Sequence, residues 1–410
     1  MESKATIEVE LTALAHGGEA IGRLPDGRAV FVPFALPGER VRLVIVEDKN
    51  RYARAELIEV LEPSPQRITP RCIHFGLCGG CHFQHLTYQA QLAAKTDILK
   101  DQLERIGKIQ NAPVKPPVAG QPWNYRNHVQ FHITPQGELG YFTAQGDRVF
   151  PIRECHLPED AINQIWPQLD FEGIPDLERI GLRLGSGEDL QLTLESRDPL
   201  PPDIEVEGLP LSVIHASPAG ELVLAGSPST LLEVNARQFR VSAGSFFQVN
   251  TLMADKMVNY LLELLPQRSS LGIDAYCGVG LFSAFLAPHL ERLIGIEVSP
   301  FACEDFAVNL DEFDHVELYE APVEDVLVSL DVHPDWLLVD PPRAGLAPLA
   351  LDGIVRLAPR VFAYVSCDVA TFARDAGRLT RGGYRLQEIT PFDLFPQSYH
   401  LETISFWEKP

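Results

Sequence analysis

At 410 residues and 45% hydrophobic, the chain is long enough for two or three domains with cores of their own, which excludes a disordered tail protein. Its formal charge of −22 excludes a protein that coats nucleic acid without selectivity, because phosphate contacts need Lys and Arg. No apolar run approaches the roughly 18 residues of a membrane span and no basic-then-apolar leader opens the sequence, so a cytoplasmic monomer with no membrane partner is expected.

In chain order, residues 5–62 alternate β-rich runs with glycine and proline turns, in IEVELTAL, HGGEAIGRLPDG and the longer run RAVFVPFALPGERVRLVIVEDKNRYARAELIEVLEPS. The pattern predicts a small closed β-barrel over residues 1–62, ended by Pro63 and Pro65. Next come Cys72, Cys78 and Cys81, three thiols within ten residues, with Gly79 and Gly80 to turn the backbone so that they converge. Cys155, in PIRECHL, is a candidate fourth ligand. Cysteine clusters in an unsecreted chain point to metal or reactivity and not to disulfides. Four thiolates fit zinc or a 4Fe-4S cluster, and spacing alone does not choose; His74, His82 and His85 keep a mixed zinc site open.

Residues 87–106 place Leu92, Ile98, Leu99, Leu103 and Ile106 at helical spacing, with Gly107 as the stop. Residues 61–130 hold eight basic side chains (Arg67, Arg71, Lys95, Lys100, Arg105, Lys108, Lys115, Arg126) against Glu62, Asp97, Asp101 and Glu104, a net +4 that leaves −26 elsewhere. Any phosphate footprint is therefore local, as suits a selective RNA reader. From Tyr125 to about Arg240 the runs YRNHVQFHIT, DLQLTLES and ELVLAG read as strands of an antiparallel module, giving a central β-rich domain over residues 63–240. After Val241 strands and helices alternate, which predicts a doubly wound α/β domain over residues 241–410.

Within that last domain LGIDAYCGVGLFS reads as a strand, a turn through Gly278 and Gly280, and a helix. Glycines let a backbone approach a ligand closely, and an acid ending the next strand, here Glu297, can bind a ribose diol. WLLVDPPR puts Asp340, Pro341 and Pro342 at another strand end, a pattern of S-adenosylmethionine enzymes acting on nucleobases or amides. VFAYV leads to Ser366-Cys367-Asp368 on the same sheet edge. Uracil is a poor nucleophile at carbon 5. A thiolate added at carbon 6 makes an enolate that can attack a methyl sulfonium, after which a base must remove the carbon 5 proton. Cys367 is the candidate thiolate, and Glu402, in SYHLETISF, the candidate base. A flipped base needs an aromatic to stack on, and Phe246 and Phe247 are the candidates. Cys277 and Cys303 are read as packing residues.

GSFFQVN, DAYCGVGLFS, DPPRAG, YVSCDVATFARD and HLET, in this order, resemble the RNA 5-methyluridine methyltransferase family over nearly the whole chain. The resemblance implies a Rossmann-like class I methyltransferase domain, S-adenosylmethionine contacts from Gln248, Tyr276, Glu297 and Asp340, Cys367 as nucleophile and Glu402 as base. The residues 16–41 resemble the TRAM domain, an RNA-binding barrel related to the OB fold. The CGGC pattern is similar to the branch of the family that carries a 4Fe-4S cluster on Cys72, Cys78, Cys81 and Cys155, and it inclines the substrate toward 23S ribosomal RNA over tRNA. Two departures stand out. Leu281 replaces a common asparagine after the second glycine, and Asp368-Val369 replaces a common Asn-Pro after the nucleophile. The rival readings are an NAD-dependent oxidoreductase, which leaves Cys367 and Glu402 unexplained, and a non-catalytic RNA-binding protein with a zinc site.

Overall fold

The computed structural model describes residues 5–409 apart from 173, 175, 188, 205–210 and 266–267. Strands β1 (Ile7–Leu14), β2 (Ala20–Arg23), β3 (Ala29–Val32), β4 (Arg40–Asp48) and β5 (Tyr52–Glu62) close into a barrel of order β1-β2-β3-β5-β4. Alternation explains it: Val9, Leu11, Val30, Val32, Val41, Leu43, Ala53 and Ala55 point inward, while Glu8 pairs with Arg40 and Arg42 on the outer surface. Glu39, fully buried before β4, accepts the Leu36 and Ser64 amides and pairs with Arg67, so the chain leaving the barrel is tied back to it.

Helix α1 (Tyr88–Arg105) follows the thiol loop. Its buried face carries Ile98, Leu99 and Leu103 into the core of the last domain, whereas Ile106 stays exposed. Gly107 does more than end it: an added Cβ would stand 2.8 Å from the Leu103 carbonyl and 2.9 Å from that of Ala373, so glycine is what allows this close approach.

The central sheet comprises β6 (His128–Ile133), β7 (Leu139–Phe142), β8 (Val149–Pro151), β9 (Leu177–Leu184), β10 (Leu190–Ser196), β11 (Leu211–Ser217) and β12 (Gly220–Ala225), in the order β12-β11-β10-β9-β6-β7-β8, with α2 (Asp160–Ile165) between β8 and β9. It is mixed and not wholly antiparallel, because β10 and β11 run parallel from Leu190↔Leu211 onward. A parallel neighbour needs a connection longer than a hairpin, and the DPLPPD segment provides one. A two-stranded ribbon, β13 (Ser229–Val234) and β14 (Arg237–Ser242), leads onward.

The last domain is α3 (Thr251–Leu264), β15 (Ser269–Ala275), α4 (Leu281–Leu286), β16 (Leu290–Glu297), α5 (Pro300–Asn309), β17 (Val316–Glu320), α6 (Val323–Ser329), β18 (Trp336–Val339), α7 (Pro348–Leu357), β19 (Val361–Ser366), α8 (Val369–Arg381), β20 (Arg385–Phe392) and β21 (Glu402–Glu408). Its sheet runs β17-β16-β15-β18-β19-β21-β20, with β15 to β19 parallel and β21 inserted antiparallel. Strands β18 and β19 are buried along their whole length because helices cover both faces. The sheet reverses direction of winding at β15, and ligands bind outside the carboxyl ends of strands at such a point.

The loop from β20 to β21 is gripped from outside the domain. Lys95 of α1 and Asp393 form a fully buried ion pair at 2.5 Å, Gln397 accepts the His82 and Phe83 amides, and the Tyr125 hydroxyl donates to the Pro396 carbonyl. Lys95 and Arg67 therefore do not join the surface phosphate patch that the charge count suggested; each neutralises a buried carboxylate.

Candidate active site

A cleft of about 1450 Å³ runs from the carboxyl edge of the parallel sheet to the face of the central sheet. Gln248, Tyr276, Gly278, Glu297, Asp340, Cys367 and Glu402 line one end, and Cys72, Cys78, Cys81 and Cys155 the other. Gly280 does not line it. An added Cβ there would stand 2.3 Å from Leu310 Cδ1, so this glycine, at φ +89° before α4, serves packing against α5 and its C-terminal turn.

The turn after β15 is built for close approach. Tyr276 at φ +62° and Gly278 at φ +55° adopt left-handed backbone, and nothing lies within 4 Å of where a Gly278 Cβ would be. The Gly278 amide donates to Glu297 Oε2 at 3.0 Å, and Glu297 Oε1 accepts the Val298 and Ser299 amides at 2.8 Å each. The carboxylate that ends β16 thus holds the glycine turn in shape. Gln248 is buried beside it, and its carbonyl accepts from the Asn127 amide group at 3.1 Å. The two candidate stacking rings separate cleanly: Phe247 packs against Phe239 in the core, while Phe246 is 70% exposed at the cleft.

Acids crowd the sheet edge. Asp274 is fully buried; Ser283 donates to its Oδ2 at 2.6 Å, Oδ1 has no partner, and burial pushes its carboxyl up to about 7. Burial and the Asp274 charge push Asp340 up to about 8. Glu402, at the start of β21, is buried with Oε2 unpartnered, and burial with the Asp340 charge raises it well above the carboxylate range against the opposing effect of Arg343. Cys367 is half-buried, and burial with the Glu402 and Asp340 charges pushes its thiol up to about 12. Burial therefore disfavours the charged form of each of these groups, and any cation placed among them favours ionising them.

Asp368 caps α8, its Oδ1 accepting the Ala370 and Thr371 amides at 3.0 and 2.8 Å. Its Oδ2 stands 3.3 Å from His16 Nε2 in the barrel's first loop. Burial alone would raise this carboxyl, but His16 and the cap bonds hold it well below its usual range. The Asp-Val that departs from Asn-Pro thus serves as helix cap and barrel contact at once.

At the other end, burial raises all four thiols: Cys81 to about 12 and Cys155 to about 11, with Cys72 and Cys78 also raised. Cys155, Cys78 and Cys72 each raise Cys81 further, so the four stand near one another. Yet the expected metal centre is not formed as a site for a single ion. Among the described residues no three of His, Cys, Asp and Glu gather closely enough to hold one. The histidines are used otherwise: His74 Nε2 accepts the Arg153 amide at 2.9 Å, and burial pushes His82 and His85 down to about 4. Cys277 and Cys303 are buried, as packing residues are.

Three arginines line the cleft, two of them, Arg183 and Arg343, with no role foreseen from the sequence. Arg183 donates to the Ser242 and Ser245 carbonyls at 2.8 Å each, bracing the segment that carries Phe246 and Gln248. Arg343 opposes the rise of Cys367 and Glu402. Arg126, counted earlier as a surface charge, lies in the cleft with Nε enclosed and without a partner. A basic residue at a strand start looks the same in sequence whichever way it faces.

A family model described as tRNA (Uracil-5-)-methyltransferase matches residues 203–409, and a TRAM domain model matches residues 3–58. A protein of Thermosynechococcus vestitus described as an uncharacterized RNA methyltransferase is 34% identical over 98% of this chain and 97% of its own length. One of the same description from Streptomyces avermitilis is 33% identical over 98% of each. Among solved structures, the Pyrococcus abyssi tRNA (uracil-54, C5)-methyltransferase in complex with S-adenosyl-L-homocysteine superposes with a TM-score of 0.74 at 23% identity, covering 97% of this chain and 100% of that one. That likeness carries the fold, including the class I methyltransferase sheet.

Proposed function

Since the chain belongs to the RNA (uracil-5-)methyltransferase family, we propose that it methylates carbon 5 of one uridine in RNA, with S-adenosylmethionine as donor, through a covalent adduct on Cys367. Family membership removes the oxidoreductase reading. The observation that carries the mechanism is the meeting of Cys367 and Glu402 on one wall of the cleft, near enough that the Glu402 charge raises the thiol.

S-adenosylmethionine supplies an electrophilic methyl on a sulfonium, and the turn at Gly278, braced by Glu297, is where its ribose and amino acid parts find backbone amides and a carboxylate. Gln248, Tyr276 and Asp340 complete that end of the cleft. With a cation there, Cys367 ionises more readily. Its thiolate adds to carbon 6 of the flipped uracil, and the enolate takes the methyl at carbon 5. Glu402 removes the proton from that carbon, and the thiolate leaves as the ring double bond re-forms. Phe246, exposed at the cleft, offers the target base a face to stack on.

The experiment incubates the protein and S-adenosylmethionine with RNA from a strain lacking the gene and locates new 5-methyluridine by mass spectrometry. Cys367→Ala should lose at least about four orders of magnitude of turnover and should form no denaturation-resistant adduct with RNA carrying 5-fluorouridine. A variant keeping a tenth of the activity would remove the covalent route.

Within this activity we assign 23S ribosomal RNA as the substrate, on the likeness of the barrel and thiol loop to the iron-sulfur branch of the family. tRNA is the second reading, favoured by the description of the matching family model. The position of the new methyl decides between them. We also assign Cys72, Cys78, Cys81 and Cys155 to a 4Fe-4S cluster, with a structural or RNA-contacting role, since the reaction needs no electron. A cluster is a body of several atoms, so its thiolates stand farther apart than those around one zinc, where bonds are about 2.3 Å. The nearness of Cys72, Cys78 and Cys155 to Cys81 is compatible with such a cluster, and the choice over zinc rests on the CGGC likeness. Anaerobic protein with about one zinc and no iron would overturn it.

A further inference from the structure

Arg126 stands out among the charged groups of the cleft. It precedes β6, and its backbone is fixed on both sides, its amide donating to the Leu157 carbonyl and its carbonyl accepting the Glu159 amide, each at 2.9 Å. Its guanidinium lies 5.6 Å from the Phe395 ring centroid. Among the described residues it pairs with no carboxylate, and Nε is enclosed with no hydrogen-bond partner. Its nearest polar side chains are the Tyr125 and Tyr141 hydroxyls and Cys155.

An enclosed guanidinium N–H with no acceptor is unfavourable unless a ligand completes it. The neighbouring basic residue does not share this condition, since Arg183 is satisfied by two carbonyls. Arg126 lines the same cleft as the thiols and Cys367. An arginine offers a fork of donors matched to two phosphate oxygens. Sharing that cleft with Cys367, it can hold the strand whose base Cys367 attacks.

We propose that Arg126 binds the phosphodiester that flanks the flipped uridine, anchoring the strand to the rigid central wall while Cys367 works on the base. The inference rests on the RNA-methylating reading above and names a substrate contact within it. It also explains the unsatisfied Nε, which in the complex gains an acceptor.

The test uses the full-length protein and a synthetic fragment of whichever RNA it methylates, spanning the methylated uridine. Single uncharged methylphosphonates replace each phosphate in turn. Against wild type, one substitution beside the uridine should weaken binding about 10- to 100-fold, as loss of a charge-assisted contact does. Arg126→Gln should weaken the native fragment by a similar factor, lower the salt slope of binding by about 0.7, and be insensitive to that same methylphosphonate. Arg126→Lys should restore part of the affinity and the sensitivity, a result that misfolding would not give. Calorimetry with S-adenosylmethionine should be unchanged in both variants. If the penalties simply add at every position, the proposal is overturned. If Arg126→Gln instead loses iron while RNA binding shows no coupling, Arg126 is a counter-charge to the thiols and the proposal is likewise overturned. Should wild type methylate no uridine in any RNA, the functional reading fails, a result separate from either.

Discussion

The two walls of the cleft are opposites in the way they hold charge. On the edge of the parallel sheet Asp274, Asp340 and Glu402 are acids that burial holds above the usual carboxylate range, with Asp274 Oδ1 and Glu402 Oε2 unpartnered. On the central sheet the cleft has arginines as well as carboxylates: Arg183 is met by carbonyls and Arg126 Nε by nothing, with Glu195 and Glu221 lining the same wall. A carboxylate can answer burial by taking a proton, and a guanidinium cannot. The first wall can therefore answer an arriving cation by losing protons, while Arg126 and Arg183 stay charged on the second, among the carboxylates of Glu195 and Glu221. A site that takes a sulfonium on one side and a nucleic acid strand on the other has use for both.

The sharpest way to break this contrast is at Glu402. Glu402→Gln cannot accept the carbon 5 proton, so turnover should fall by about two to four orders of magnitude, and ordinary uridine should leave a protein-RNA adduct on denaturing gels. Turnover near wild type would mean that the acidic wall needs no base at this position. On the opposite wall, Arg183→Leu strands the Ser242 and Ser245 carbonyls. Stability should drop by about 2 to 4 kcal/mol in chemical denaturation, with weaker cofactor binding as the Gln248 segment loosens. Glu297→Ala removes the brace of the Gly278 turn, and calorimetry should show S-adenosylmethionine binding weakened by about 1 to 3 kcal/mol.

A change of pH tests adjustability itself. Folded Asp274 keeps its proton up to about pH 7, whereas the unfolded chain loses it near pH 4. Between those values the unfolded state is favoured as pH rises, so wild type loses stability relative to Asp274→Asn, by at most about 1.4 kcal/mol per pH unit. Above about pH 7 the difference should level off. Denaturation curves of the two proteins from pH 4 to 8 that stay parallel would show that Asp274 is charged in the fold.

What could be read in advance followed locality. The barrel, helix α1 and the parallel sheet rest on alternation and helical spacing, which short windows display, as in RVRLVIVED of β4 or the all-buried WLLV of β18. The parallel pairing of β10 with β11 is a long-range choice with no local signature. The same holds for charge. Lys95 sits on a helix like a solvated lysine, and only the arrival of Asp393, almost three hundred residues later, makes it a buried partner. Sequence motifs picked out side chains near the sheet edge because glycine and proline punctuation marks strand ends. No such punctuation marks Arg126 or Arg183, nor does it tell Phe246 from Phe247, where burial alone decides.

The grip on the loop between β20 and β21 bears on how this protein can be taken apart or recombined. That loop ends at Glu402, and it is held by Lys95, by the His82 and Phe83 amides and by Tyr125, all contributed from before residue 126. The α/β half is therefore not a transplantable module. Expressed alone it would leave Asp393 buried without its cation, a loss of about 3 to 5 kcal/mol, and the segment leading to the proposed base without its clamp. Grafting a foreign RNA-binding front end onto residues 241–410 would need to bring along α1 and the thiol loop. In this architecture the unit of inheritance is the whole chain.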